Sequence, residues 1–206
     1  MKPLEEGEIW EWRAFGNIPD AMAEKIRTNP VRFGILDDLY EDSYLISPES
    51  NGNVKLRQSA GTWILKLKYL IEAQPGGIEL YRENPALVCE FPVTPERIGE
   101  AARLLKVGLQ DDFTGGRYLF TREQFLDILS VSNPPVKLVT LPKTRSQFKY
   151  DEGWIELASV KFPHGQEQTI SVNAYNLSVV QMILQDIKPG PGLRVMNYVD
   201  ACRLLL

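Results

Sequence analysis

Three short runs of alternating cations are the residues of this chain best suited to chemistry. They are Lys55 with Arg57, Lys66 with Lys68, and Lys143 with Arg145. Residues two apart in an extended strand lie on one face. Val54 and Leu56, like Leu65 and Leu67, then occupy the opposite face. A strand face lined with lysine and arginine suits a multiply charged anion. Phosphates fit best, because both side chains match their charge and arginine also matches their geometry. The stretches 51–71 and 137–150 each hold four basic residues and no acid. The same spelling also writes a sheet with one wet face, or an edge strand guarded by lysine, so that reading stays open beside the anion site.

This clustering contrasts with the whole chain, where 23 Lys and Arg meet 27 Asp and Glu for a net charge of −4. That balance excludes a polycation that coats nucleic acid, so neither DNA nor RNA is an expected partner. With one histidine, His164, no two-histidine metal site can form, and its Phe162-Pro163-His164-Gly165 setting reads as a solvated turn. Cys89 and Cys202 are far apart and form no C-x-x-C. This excludes a disulfide scaffold and a cysteine zinc site and points to a reducing compartment. Residues 1–10 carry no apolar signal core, and no run of 18 apolar residues exists. A soluble, cytoplasmic protein with no membrane partner is expected.

The elements that must position these cations are mostly strands. The spacing predicts strands over 9–13, 40–47, 54–59, 62–71, 78–82, 86–92, 136–141, 145–150, 154–162 and 168–174. Turns are expected at 50–53, at Ala60-Gly61 and at Asn84-Pro85. Many short strands with turn signals between them suit an all-β closure into a barrel or sandwich. Helices punctuate them. Thr94-Pro95-Glu96 starts one that Gly108 would stop, and Thr121-Arg122-Glu123-Gln124 spells a capping box. Helical spacing also marks 19–27, ended by Asn29-Pro30, then 179–187, ended by Lys188-Pro189, and 198–206. The four tryptophans fall on strands and read as packing residues. The chain is expected to be a single α+β domain over 1–206, with an insertion at 109–135.

The order of segments resembles the CYTH family, the triphosphate tunnel metalloenzymes, which include thiamine triphosphatase, class IV adenylate cyclase and tripolyphosphatases. The family's E-x-E-x-K strand falls at Ile9-Trp10-Glu11-Trp12-Arg13, and its R-x-R strand at Lys55-Leu56-Arg57, with Lys66 at the following lysine. Its acidic strand and helix fall at Glu90-Phe91-Pro92 and the helix from Pro95, and its K-x-R at Lys143-Thr144-Arg145. Its aspartate strand falls at 155–160, its E-x-E strand at 169–173, and its closing Tyr-x-x-Leu-Leu near Tyr198. The resemblance implies an antiparallel β-barrel of the CYTH-like tunnel fold with flanking helices. It implies that Arg13, Lys55, Arg57, Lys66, Lys68, Lys143 and Arg145 bind the anion.

The departures concern acids. Ile9 replaces the first glutamate, Ala158 the aspartate, and Ser171 and Asn173 the E-x-E pair. Family members use these acids to hold Mg²⁺ or Mn²⁺, hard ions that need carboxylate oxygen. Glu11, Glu90 and Glu156 remain as metal ligands, and Glu11 as the catalytic carboxylate. The expectation is therefore a tunnel protein that binds a nucleoside triphosphate, polyphosphate or phosphorylated metabolite with weak or no catalysis. The alternatives are a metal-dependent triphosphatase using Mg²⁺ or Mn²⁺, and a protein-interaction module, with a protein partner or a second copy docking at 109–135.

Overall fold

The computed structural model describes residues 7–28, 38–59, 61–83 and 88–204. The expected stop at Asn29-Pro30, the turn residues Ala60, Asn84 and Pro85, and the last two residues, Leu205 and Leu206, lie outside the described residues. Among the described residues ten strands form: β1 (Glu8–Phe15), β2 (Asp38–Ser47), β3 (Ser50–Ser59), β4 (Thr62–Gln74), β5 (Ile78–Arg82), β6 (Val88–Glu90), β7 (Lys137–Tyr150), β8 (Gly153–Phe162), β9 (Gly165–Ala174) and β10 (Arg194–Val195). The helices are α1 (Asp20–Thr28), α2 (Pro95–Leu105), α3 (Arg122–Ser130), α4 (Leu177–Ile187) and α5 (Tyr198–Arg203). The hydrogen-bonded order β1-β5-β4-β3-β2-β7-β8-β9 returns to β1, which makes an eight-stranded antiparallel barrel, with β10 and β6 as extra strands on β1 and β4. The fold class is the α+β antiparallel barrel with flanking helices that the sequence indicates. No helix among the described residues is long and apolar enough to cross a membrane.

The chain divides into two compact units, the first comprising 1–40, 70–82 and 141–198, the second 41–69, 83–140 and 199–206. In the first, β1 writes the logic of the sheet. Trp10, Trp12 and Ala14 pair across with Ala174, Val172 and Ile170 of β9, and Trp10 and Trp12 pair with Leu80 and Ile78 of β5. These residues form one apolar face, packed with Met22 and Ile26 of α1 and Val180, Ile183 and Ile187 of α4. The intervening residues of the same strands, Glu11 and Arg13 among them, project to the other face.

In the second unit, Leu45, Val54, Leu56, Leu65 and Leu67 make the apolar face, covered by Ile98, Ala101, Ala102 and Leu105 of α2 and by Phe125 and Leu129 of α3. The α3 start is the capping box read from the sequence: Thr121 accepts from the Gln124 N–H, and the Gln124 side chain accepts from the Thr121 N–H. The ends of the 109–135 segment are pinned by the Gly108–Asn133 bridge, and its Phe120 and Phe125 are fully buried.

Three local expectations are corrected. Residues 50–53 are not a turn but the start of β3, and the β2–β3 turn is Pro48-Glu49. Gly52 sits there because a strand must approach α2 closely: a Cβ at this position would collide with the Leu104 carbonyl. The segments 136–141 and 145–150 are one strand, β7; pairing with β8 begins at Lys143, one residue past Pro142, so the missing proline N–H removes no bond from that ladder. The α2 helix ends before Gly108, with Lys106 left-handed at φ 55° and its N–H bonded to the Ala102 and Arg103 carbonyls.

Candidate functional site

The two units each carry a polar sheet face on the side away from their helices. In the first, register fixes the membership. Arg13 lies opposite Ser171 and Glu11 opposite both Asn173 and Glu79. Glu156 lies opposite Ser171 on β9 and Gln147 on β7, and Arg145 lies opposite Ala158. This face is as buried as a core: Glu11, Arg13, Lys143, Glu156, Thr169, Ser171 and Asn173 all are. Burial of that much charge demands internal pairing, and the pairing is present. Arg13 Nε donates to Glu11 Oε1 at 2.9 Å, and Arg13 Nη1 donates to Glu156 Oε1 at 3.2 Å and to Thr169 Oγ1 at 3.4 Å. Arg145 donates to the second Glu156 oxygen at 3.3 Å. The Tyr198 ring takes the remaining exposure of the cations, with the Arg13 guanidinium 4.6 Å and Lys143 Nζ 3.4 Å from its centroid. Glu79 accepts from the Tyr81 hydroxyl at 2.7 Å and from Asn197 at 3.2 Å.

Electrostatics follow from this packing. Burial alone would raise the Glu156 carboxyl, but Arg13, Arg145 and Lys143 outweigh it and hold that carboxyl below the usual carboxylate range. Burial likewise opposes the charge on Arg13, and Glu11 and Glu156 more than compensate, so the guanidinium is held protonated more firmly than in water.

The second unit places Lys55 opposite both Tyr44 and Lys66, Arg57 opposite Asp42, and Lys68 opposite Asn53. Lys55, Arg57, Lys66 and Lys68 therefore share the polar face. Asp42, at 1% exposure, is its buried centre. Arg57 grips it with two bonds, Nε to Oδ1 at 2.8 Å and Nη2 to Oδ2 at 3.0 Å. Lys55 Nζ lies 3.7 Å from Asp42 Oδ2, and the Tyr44 hydroxyl donates to the same oxygen at 3.4 Å. Lys66 Nζ meets Glu83 at 3.4 Å. The side chains of Lys55, Arg57 and Lys66 keep 15–20% of their exposure, so a solute can reach them.

Among the residues singled out from the sequence, Glu11, Arg13, Arg145 and Glu156 form one bonded cluster, with Lys143 beside it over the Tyr198 ring. Lys55, Arg57, Lys66 and Lys68 form the second group. Glu90 is exposed on β6, opposite Ile64. His164 lies in the β8–β9 hairpin, stacked on Phe162 at 5.4 Å and 3.1 Å from Glu167. Sequence reasoning missed Asp42, Glu79, Glu83, Thr169 and the role of Tyr198. Only Asp42 left a readable signal. It alternates with Tyr44, and the Pro48-Glu49 turn together with the register shift between Leu45 and Ser47 puts it across from Arg57.

The residues do not fit a divalent metal centre of the kind the resemblance implies. Among the described residues no three His, Cys, Asp or Glu side chains are grouped to hold an ion. Glu11 accepts from Arg13, and both oxygens of Glu156 accept from arginine. The positions that would add carboxylates are the neutral Ser171 and Asn173.

No family model matches the chain, and no curated protein matches it. Solved structures do. A protein from Bacillus halodurans described as a candidate adenylate cyclase superposes with a TM-score of 0.51 at 12% identity, over 95% of this chain and 98% of its own. A conserved hypothetical protein from Pyrococcus furiosus gives 0.51 at 13%, over 93% and 98%. A protein from Pyrococcus horikoshii gives 0.50 at 16%, over 92% and 98%. Likeness of this kind speaks for the fold, and the fold is the CYTH-like tunnel barrel.

Proposed function

We propose that this chain binds a phosphate-rich anion on the lysine- and arginine-lined face of β3 and β4, with weak or no catalysis. The observation that carries the reading is the charge of that face. Lys55, Arg57, Lys66 and Lys68 share it with Asp42 and Glu83, and the side chains of Lys55, Arg57 and Lys66 keep 15–20% of their exposure. Lys55, Arg57 and Lys66 are half-sheltered, where a charge-assisted bond to phosphate is stronger than on open surface. Arg57 is already held flat by Asp42, which lowers the entropy lost on binding. Lys143 and Arg145, in the first unit, belong to the Glu156 cluster and are not part of this face. The adenylate cyclase description of the Bacillus halodurans neighbour belongs to nucleotide chemistry and supports the same ligand class. Weak catalysis follows from the acids: Glu11 and Glu156 are engaged by arginine, and metal-assisted phosphoryl transfer needs carboxylates for its ions.

Titration calorimetry with tripolyphosphate tests the reading. Heat of binding is expected, lost on combining Lys55→Ala with Lys66→Ala. Absence of heat from the folded protein, with and without Mg²⁺, overturns it in favour of a protein-interaction role for the barrel. Phosphate release with Mg²⁺ or Mn²⁺, abolished by Glu11→Ala, would instead establish a metal-dependent triphosphatase.

A further inference from the structure

We infer that Arg13 is a built-in counter-cation that takes the place of a divalent metal between Glu11 and Glu156, and that this protein accepts its anion in the metal-free form. The first half of the inference stands on geometry. One guanidinium reaches both carboxylates, with Nε on Glu11 at 2.9 Å and Nη1 on Glu156 at 3.2 Å. The other Glu156 oxygen is occupied by Arg145 at 3.3 Å. The bridge is sealed, since Arg13 keeps 8% of its exposure, Glu11 8% and Glu156 7%. Thr169 and the Tyr198 ring fix the guanidinium from two further directions.

A Mg²⁺ or Mn²⁺ ion needs several carboxylate or water oxygens in a near-octahedral shell. To enter here it would have to break three arginine bonds and sit beside two guanidinium charges. The cross-strand partners of Arg13 and Glu11, Ser171 and Asn173, contribute no charge to compensate, and Asn173 donates to the Ser171 hydroxyl at 3.0 Å. A fixed guanidinium neutralises the buried carboxylates permanently, whereas a bound ion does so only at sufficient concentration.

The second half rests on the proposed anion binding. A ligand that brings Mg²⁺ carries less negative charge to the lysine row and offers it fewer phosphate oxygens. On that face Asp42 is gripped by Arg57 with Lys55 beside it, and Glu83 meets Lys66, so both carboxylates are already engaged by cations and do not offset that loss.

Two measurements test the inference. Mn²⁺ binding followed by electron paramagnetic resonance, on the protein alone, does not depend on the anion. The wild type is expected to leave Mn²⁺ in solution. Arg13→Gln, with Glu11 and Glu156 no longer bridged, is expected to bind one ion per chain and to gain thermal stability from it. Mn²⁺ bound by the wild type and lost on Glu11→Gln overturns the inference, as does a folded Arg13→Gln chain that binds none. Should that variant not fold, the wild-type titration still decides. Calorimetry with tripolyphosphate in chelator and in excess Mg²⁺, at equal ionic strength, then tests the ligand form. Affinity is expected to be about tenfold lower with Mg²⁺, the size expected for reducing ligand charge in a partly desolvated site. Binding only with Mg²⁺ overturns the inference while leaving the proposed function standing. Binding in neither buffer overturns the proposed function alone.

Discussion

The polar faces of the two units are spelled alike and charged differently. In the first, the cations Arg13, Lys143 and Arg145 share the face with the carboxylates Glu11, Glu79 and Glu156, and its centre, Glu11, Arg13, Lys143 and Glu156, is buried. In the second, Lys55, Arg57, Lys66 and Lys68 share the face with Asp42 and Glu83, and the side chains of Lys55, Arg57 and Lys66 stay partly wet. Strand alternation alone puts cations on a face; burial and the acids that share it decide whether they close a structural network or stay open to a solute. The first face centres on a buried network, and the second keeps cations that a solute can reach.

The largest effect that can break this comparison comes from removing each face's central acid. Glu156→Ala removes the buried carboxylate that both Arg13 and Arg145 bond, and is expected to cost about 3–5 kcal/mol. Asp42→Ala should cost less, about 1–3 kcal/mol, because water can reach the tips of Arg57 and Lys55. Denaturant unfolding monitored by tryptophan fluorescence gives both values. The faces also separate by ligand: Asp42→Ala, by deleting an internal competitor, should raise tripolyphosphate affinity, and Glu156→Ala should not. Equal costs and equal affinity changes would erase the distinction.

How much of this was legible before the structure is uneven, for physical reasons. The strands were legible because period-2 spelling is local: Val54/Leu56 against Lys55/Arg57, and Leu65/Leu67 against Lys66/Lys68, each declare two faces, while closure into a barrel rather than a sandwich rested on the order of segments. The cations were found for the same reason. Their counter-charges were not, because Asp42 meets Arg57 only through the hairpin register, and Glu156 meets Arg13 across 143 residues of sequence. The misplaced turn shows the cost of a local rule. Ser50-Asn51-Gly52-Asn53 has turn composition, yet Gly52 is there to admit the α2 backbone, a tertiary demand invisible in a window of four residues. Moving the turn to residues 50–53 would carry the partner of Asp42 past the end of β3, which is why the clamp on Arg57 escaped notice.

A smaller effect sharpens the comparison from the ligand side. Lys55→Ala combined with Lys66→Ala should lower tripolyphosphate affinity by about tenfold or more, since each removes a charge-assisted contact. Stability should change by no more than about 1 kcal/mol, as for exposed pairs. Arg145→Ala should do the reverse, costing more stability than affinity because its bond to Glu156 is structural. Calorimetry and thermal melts on the same samples read both quantities.

The smallest effect is in the pH dependence, and it isolates the first face. The Glu156 carboxyl is held below its ordinary value of 4.5, with burial pushing it up and Arg13, Arg145 and Lys143 pulling it down further. The unfolded chain therefore binds this proton at a higher pH than the folded chain does. The stabilisation is fully present above 4.5 and is lost as pH falls through the lower folded value. Stability should thus rise with pH across that acid window, and Glu156→Gln should flatten the rise. Glu167, in the β8–β9 hairpin, provides the internal comparison. Its carboxyl is also lowered, with burial opposing and His164 and Arg194 prevailing, but Arg194 and His164 are more than half exposed. Salt screens such a pair and hardly touches a sealed one. In 0.5 M salt, about where the screening length falls near 4 Å, the Glu167→Gln difference should vanish and the Glu156→Gln difference should persist. If both vanish together, the Arg13–Glu156 network is wet, and the first face then shares the solvent access of the second.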